Sequence, residues 1–323
     1  MARRSDSAGG GGTAVARTLS VAEVVRARLR GRRFRPGDLA VQLLLLGTLL
    51  VALLVLVVLI TEVVTRAMPV LAHRPGSFLK SGNSTFAFNA GIKQGIVGSL
   101  ELMIFVVVLA FPLGIGAAVY LEEYARDTRF TRLLQTNIRN LAGVPSIVYG
   151  LLGLAIFAQA LKGLTGGYSL MAGGLTLGIL VLPIVIITSS EALRAVPQSI
   201  REAGYAVGAT RWEVIRSHVL PSAAPGILTG TVLTLGRALG ETAPLLLVGA
   251  VTGFFASGGA SFLQQVRQDH GYTSLPTMIF SWARQPNADF RALTAAAIVV
   301  LLVVLLAVNA TAIFLRNRYE RAW

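Results

Sequence analysis

Six apolar runs, each long enough to cross a bilayer, decide what this chain can fold into. A helix needs about 20 residues to cross about 30 Å of hydrocarbon. Runs of that length occur near 39–64, 94–120, 141–162, 169–189, 223–253 and 292–315. In hydrocarbon every backbone N–H and C=O must find its partner within the protein, so such runs become helices. The expectation is an all-α integral membrane protein with six transmembrane helices. The first run, "LAVQLLLLGTLLVALLVLVVLI", and the last, "ALTAAAIVVLLVVLLAVNATAIFL", carry no charge. The third and fourth are rich in Gly, Ala and Ser, which suits helices packed inside a bundle. Only 14% of the residues are charged, against about 25% in a soluble domain.

The net charge of +14 raises the possibility of a nucleic-acid partner, but the basic residues sit between the apolar runs, where they orient a membrane protein. With the N-terminus in the cytoplasm, 20 of the 29 Lys and Arg fall on the cytoplasmic side and eight outside, leaving Arg237 within a span. An odd number of spans would spoil this asymmetry, so both termini are expected in the cytoplasm. The first run lies behind about 38 residues and exceeds the roughly 7–15 apolar residues of a signal peptide, so it reads as a retained span. Residues 1–35, with "GGGG" at 9–12, read as a flexible basic cytoplasmic tail. Residues 36–93 then hold the first transmembrane helix and an external loop, and 94–323 the core.

Glycines four apart in "GLTLG" (174–178), "GILTG" (226–230) and "GRALG" (236–240) predict close helix crossings. The fifth run is longer than a bilayer requires, since 31 helical residues would reach about 46 Å. Pro244 offers a place for it to bend or break. There is no cysteine, and His73, His218 and His270 have no metal-ligand spacing. No G-x-x-x-x-G-K-[ST] phosphate loop occurs, and no nucleophile has a His or Asp arranged beside it in sequence. A membrane enzyme is disfavoured, no cofactor is expected on this chain, and an ATP-driven process would need its ATPase elsewhere.

The loop at about 190–222 contains "REAGYAVGATRWEVIRSHVLP" (201–221). It predicts a short helix over 200–207, a hinge at Gly208, and a second short helix from about Thr210, with Thr210 and Glu213 forming a capping box. Ile200, Ala203 and Val207 would line one face of the first helix, Trp212 and Ile215 one face of the second. This stretch resembles the EAA loop of ABC importer permeases, E-A-A, three residues, G, about nine residues, then I-x-L-P. Glu202, Ala203, Gly204, Gly208, Leu220 and Pro221 fill that pattern, with Gly204 in place of the second alanine, His218 in place of isoleucine, and the Leu-Pro stop kept. "NLAGVPSIVYGLLG" (140–153), "EALRAVP" (191–197), "GRALGETAP" (236–244) and "LPTMIFSWA" (275–283) resemble the phosphate-importer permeases of the PstA type. The resemblance runs from about residue 94 to the C-terminus.

That resemblance implies a type I ABC importer permease (MetI-like) bundle in a bacterial plasma membrane. It implies a second homologous permease as heterodimer partner, two copies of a cytoplasmic ATPase that use ATP and Mg, and an external phosphate-binding protein. It makes Glu202, Ala203, Gly204 and Gly208 the contact with the ATPase; Arg237, Glu241 and Thr242 are expected to line the substrate pathway because two of them are charges within a span. Arg194 is a further pathway candidate, and an interfacial anchor is the other reading of it. Permeases for another oxyanion, sulfate or molybdate, share the class. An ion-coupled secondary transporter is the competing class, although no internal repeat supports it.

Arg237 and Glu241 pose the sharpest question, because a charge near mid-bilayer costs roughly 2.5–3.5 kcal/mol on insertion scales. Four residues apart on a helix, they share a face and can pair. One reading is a buried ion pair that locks the fifth span to its neighbours. The other is a gate on an anion route, with Arg237 as oxyanion donor and Glu241 as the competing carboxylate that keeps binding transient.

Overall fold

The computed structural model describes residues 36–250 and 272–319. The expected tail at 1–35, the end of the fifth run at 251–253, Arg267 and His270 lie outside the described residues. The chain divides into two units, Met1–Ile60 and Thr61–Trp323. In the first, the helix α1 (Pro36–His73) exposes every side chain over 39–60, an all-round apolar surface fit for lipid.

The second unit takes the last turns of α1, which run 13 residues past the apolar segment 39–60. Ala67 and Val70 are buried there with Phe78 of α2 (Pro75–Lys80), Trp282 of α11 (Leu275–Ala283) and Phe290 of α12 (Asp289–Tyr319). Trp282 donates its indole N–H to Asn83 at 3.0 Å, tying α11 to the loop after α2. Arg74 holds the same loop by the carbonyls of Ala87 and Phe88.

The helix α3 (Lys93–Tyr124) carries two π turns, Val106–Ala110 and Tyr120–Tyr124. The expected third span differs from its prediction. An amphipathic helix, α4 (Arg129–Ala142), bends by 100° into α5 (Ser146–Ala160). The residue before a proline is pushed out of the helical region, so Pro145 delays the apolar helix to Ser146. Five helices are long and apolar enough to span alone among the described residues, and the α4–α5 pair makes six. After the short α6 (Lys162–Thr165) comes α7 (Leu170–Arg194), capped by Ser169 and the most buried span of the unit. No strand occurs among the described residues beyond an isolated bridge between Ala250 and Tyr272.

The loop helix α8 (Gln198–Ala206) forms as expected, but no separate second helix follows. Instead α9 runs unbroken over Arg211–Gly240, 30 residues. Pro221 is not a stop: a π turn at Ile215–Val219 absorbs the bond that its missing N–H cannot make. The fifth span therefore starts 12 residues before its expected start at 223 and ends earlier, at Gly240. Pro244 lies in the first turn of α10 (Ala243–Leu247). A helix through Pro244 would clash with the carbonyl four residues back, that of Gly240, which is where α9 stops.

Close crossings follow the glycines in part. A Cβ at Gly226 would meet Ala192, and one at Gly230 would meet Thr188, so α9 packs antiparallel on α7 at small residues. Gly174 faces Phe105 and Gly178 faces Leu109 in the same way. The third pair fails: Gly240 has no side-chain neighbour within 4 Å and Gly236 only loose ones, because the helix is ending there.

Candidate functional site

The register of α7 on α9 sets the depth of Arg237. Gly226 sits by Ala192 and Gly230 by Thr188, one residue up for one residue down. Continued, this puts Arg237 level with residue 181, beside the midpoint of the 25-residue α7. The charge is therefore at mid-depth of the bundle.

The pair is not the helical one that four-residue spacing suggests. Glu241 has left the helix, with φ −72° and ψ 125°, and reaches back to Arg237 from the helix end. Arg237 Nε lies 3.4 Å from Glu241 Oε1, one long contact. The guanidinium side chain is 48% exposed within this chain and the carboxylate side chain 15%. Thr242 follows as the N-cap of α10, part-buried, and its side chain makes no capping bond. Irregular backbone at membrane depth persists only where protein buries it or a water-filled cavity meets it. Glu241 and Thr242 are such backbone.

The break is supported from one side by α5. Its Gly150 lies against Pro244, where a Cβ would come within 2.7 Å of Pro244 Cα. Tyr149, beside it, donates to Leu141 O at 2.9 Å. Two of the stretches singled out in sequence, 140–153 and 236–244, thus pack against each other at Gly150 and Pro244.

The loop end is built differently. Gly208 has φ +83°, a left-handed conformation that side chains resist, and it turns the chain between α8 and α9. Thr210 and Glu213 form the capping box, with Thr210 N donating to Glu213 Oε2 at 2.7 Å. The apolar face expected there is corrected in part. Ile215 is buried and Ile200 half-buried, but Ala203, Val207 and Trp212 are exposed, and Gly204 and Val214 are the other residues turned inward. Gly204 packs on Val214 so closely that an alanine methyl would come within 2.7 Å, which is why glycine serves at that position. Glu202, Ala203, Tyr205, Val207 and Gly208 form an exposed ridge.

Arg194 is brought to this end and kept from Arg237. Its Nε and Nη2 donate to the two oxygens of Glu122 at 2.7 and 2.8 Å. By the register of α7 on α9, Arg194 is level with residue 224, 13 positions below Arg237, roughly 20 Å along a helix. Sequence reasoning passed over Glu122, Glu123 and Arg201, whose pairings join residues 72 and 78 apart. The available signal was an acidic doublet closing an apolar run beside an arginine-rich loop. Among the described residues no three His, Asp or Glu are grouped to hold a metal ion.

Against known proteins, residues 110–321 match the family model of the binding-protein-dependent transport system inner membrane component. The chain belongs to that family. It is 35% identical over 176 residues to the probable ABC transporter permease protein YqgI of Bacillus subtilis (strain 168). That match takes in 54% of this chain and only 58% of the length of YqgI. It is 34% identical over 231 residues to the phosphate transport system permease protein PstA of Yersinia pestis, covering 71% of this chain and 74% of that protein. The fold is that of a subunit of a bacterial alginate ABC transporter, with TM-score 0.64 at 16% identity, over 89% of this chain and 97% of the other.

Proposed function

We propose that this chain is one membrane subunit of an ATP-driven importer of inorganic phosphate. The observation that carries this reading is the Arg237–Glu241 pair at a mid-depth helix break, in a chain 34% identical to a PstA permease over 71% of its length. An arginine offers an oxyanion a planar, always-charged donor, and a single long contact to Glu241 is easily exchanged for a phosphate. Passage needs such weak contact, because a tight site would hold the anion. Thr242 stands next to the exchange, between the end of α9 and the start of α10.

In this reading the chain pairs with a second, homologous permease and both termini face the cytoplasm of a bacterium. The exposed ridge Glu202, Ala203, Tyr205, Val207 and Gly208 docks one of two ATPase copies, and Gly204 holds α8 tight against α9. ATP binding brings the ATPases together, swings the loop and turns the pathway toward an external phosphate-binding protein. Hydrolysis by the partner, with its Mg, resets it. Arg194 serves as an anchor in its bond to Glu122.

The test is reconstitution of both permeases, the ATPase and the binding protein in vesicles. ATP-dependent uptake of phosphate in preference to sulfate and molybdate is expected. Uptake driven by an ion gradient without ATPase would overturn the reading, and preference for another oxyanion would overturn its substrate.

A further inference from the structure

The last turn of α3, Tyr120–Tyr124, grips every part of the loop that follows α7. Glu122 holds Arg194 at the end of α7 through two bonds, of 2.7 and 2.8 Å. Glu123 holds Arg201 of α8 at 2.7 Å. Tyr124 presents its ring to Arg211 at the start of α9, 5.1 Å from the centroid. Consecutive residues on a helical turn point in different directions, so one wide turn can reach three elements around it. Arg201 is held further by Leu193 O at 3.0 Å and Val196 O at 2.8 Å, carbonyls at and just past the end of α7.

The central pair is deeply placed, with Arg201 12% and Glu123 4% exposed. Apolar residues of similar size often hold such a site as well, so stability alone does not account for charges here. What the pair adds is direction: a forked, multiply bonded guanidinium permits one orientation of α8 on α3.

We propose that Glu122, Glu123 and Tyr124 are positioning residues through which movement of the loop reaches α3, so that loop and α3 move as one body. This rests on the reading that the loop docks an ATPase. The 32 residues of α3 reach roughly 48 Å, so displacement of Glu123 is delivered at Lys93, at the far end of the bundle. The loop thereby acts on the mouth opposite to the one it occupies, without passing through Arg237.

The chain has no cysteine, so spin labels can be placed at Ser199 of α8 and Leu113 of α3, both exposed, in the complete complex. The distance between them should be the same without nucleotide and with ATP. In Glu123→Gln it should change with ATP, while the ATPase still co-purifies and phosphate moved per ATP hydrolysed falls about 5- to 150-fold, the range of coupling between linked sites. A nucleotide-dependent distance with Glu123 intact overturns the clamp. So does Glu123→Gln with unchanged uptake per ATP, or with loss of the ATPase, which would make the glutamate a mere shaper of the docking ridge. A complex that hydrolyses ATP but moves no phosphate would strike the substrate reading, and the distance measurement would still judge the clamp.

Discussion

Two ion-pair sites in this chain use the same residue types for opposite ends. At the loop end, Arg201 and Arg194 are held by bonds of 2.7–2.8 Å to Glu123 and Glu122, and Arg201 also reaches two carbonyls. At mid-depth, Arg237 has, among the described residues, one 3.4 Å contact with Glu241 and leaves half its side chain open. Short, forked bonds to a buried acid fix a geometry. One long contact to an acid on irregular backbone leaves an arginine that another anion can claim. A charge in a membrane protein is thus read by the number and length of its bonds more than by its presence.

Three measurements break or sharpen that contrast. Arg237→Gln removes the fixed positive charge offered to the anion. It should lower phosphate uptake by about 100-fold, the loss of roughly 3 kcal/mol of charge-assisted hydrogen bonding, while both permeases and the ATPase still co-purify. Uptake at the normal rate in that variant would end the pathway role and leave Arg237 a structural partner of Glu241. At the loop, Gly208→Val forces a branched side chain into a left-handed turn at a cost of about 1–2 kcal/mol, with no steric clash because the space around Gly208 is open. Insertion should be unaffected and uptake per ATP should drop several-fold, whereas Gly208→Asn, which tolerates that conformation, should behave nearly as the parent. Arg194→Gln should have the smallest effect. Its side chain is 48% exposed, so its pair contributes about 1 kcal/mol or less, and uptake should stay within a few-fold of normal. A loss as large as that of Arg237→Gln would return Arg194 to the anion route.

Much of this architecture was legible in the sequence because it is local. The apolar runs, the Thr210–Glu213 cap and the turn at Gly208 each depend on residues within a few positions of one another. Errors arose where local rules compete. Pro221 reads as a stop and is absorbed by a wide turn, and Pro244 reads as the break although its effect falls four residues earlier, at Gly240. Ala203 reads as part of an apolar face with Ile200 and Val207, while the buried residue of α8 is Gly204, where an added Cβ would come within 2.7 Å of Val214. The grip of Glu122 and Glu123 on the loop was missed for another reason. It joins residues 72 and 78 apart, and the acidic doublet at the end of its apolar run does not name its partners.

The wide turn at Ile215–Val219 has a consequence for the chain beyond it. A π turn takes up one residue more than the regular helix would, and so sets the rotational phase of all that follows. Deleting one residue there would leave α9 apolar, long and helical. The same deletion in the regular helix beyond it, ahead of Arg237, would instead turn the face carrying Arg237 by about 100°. Composition and length would survive such a change almost unaltered, and only the angular phase of the helix would register it.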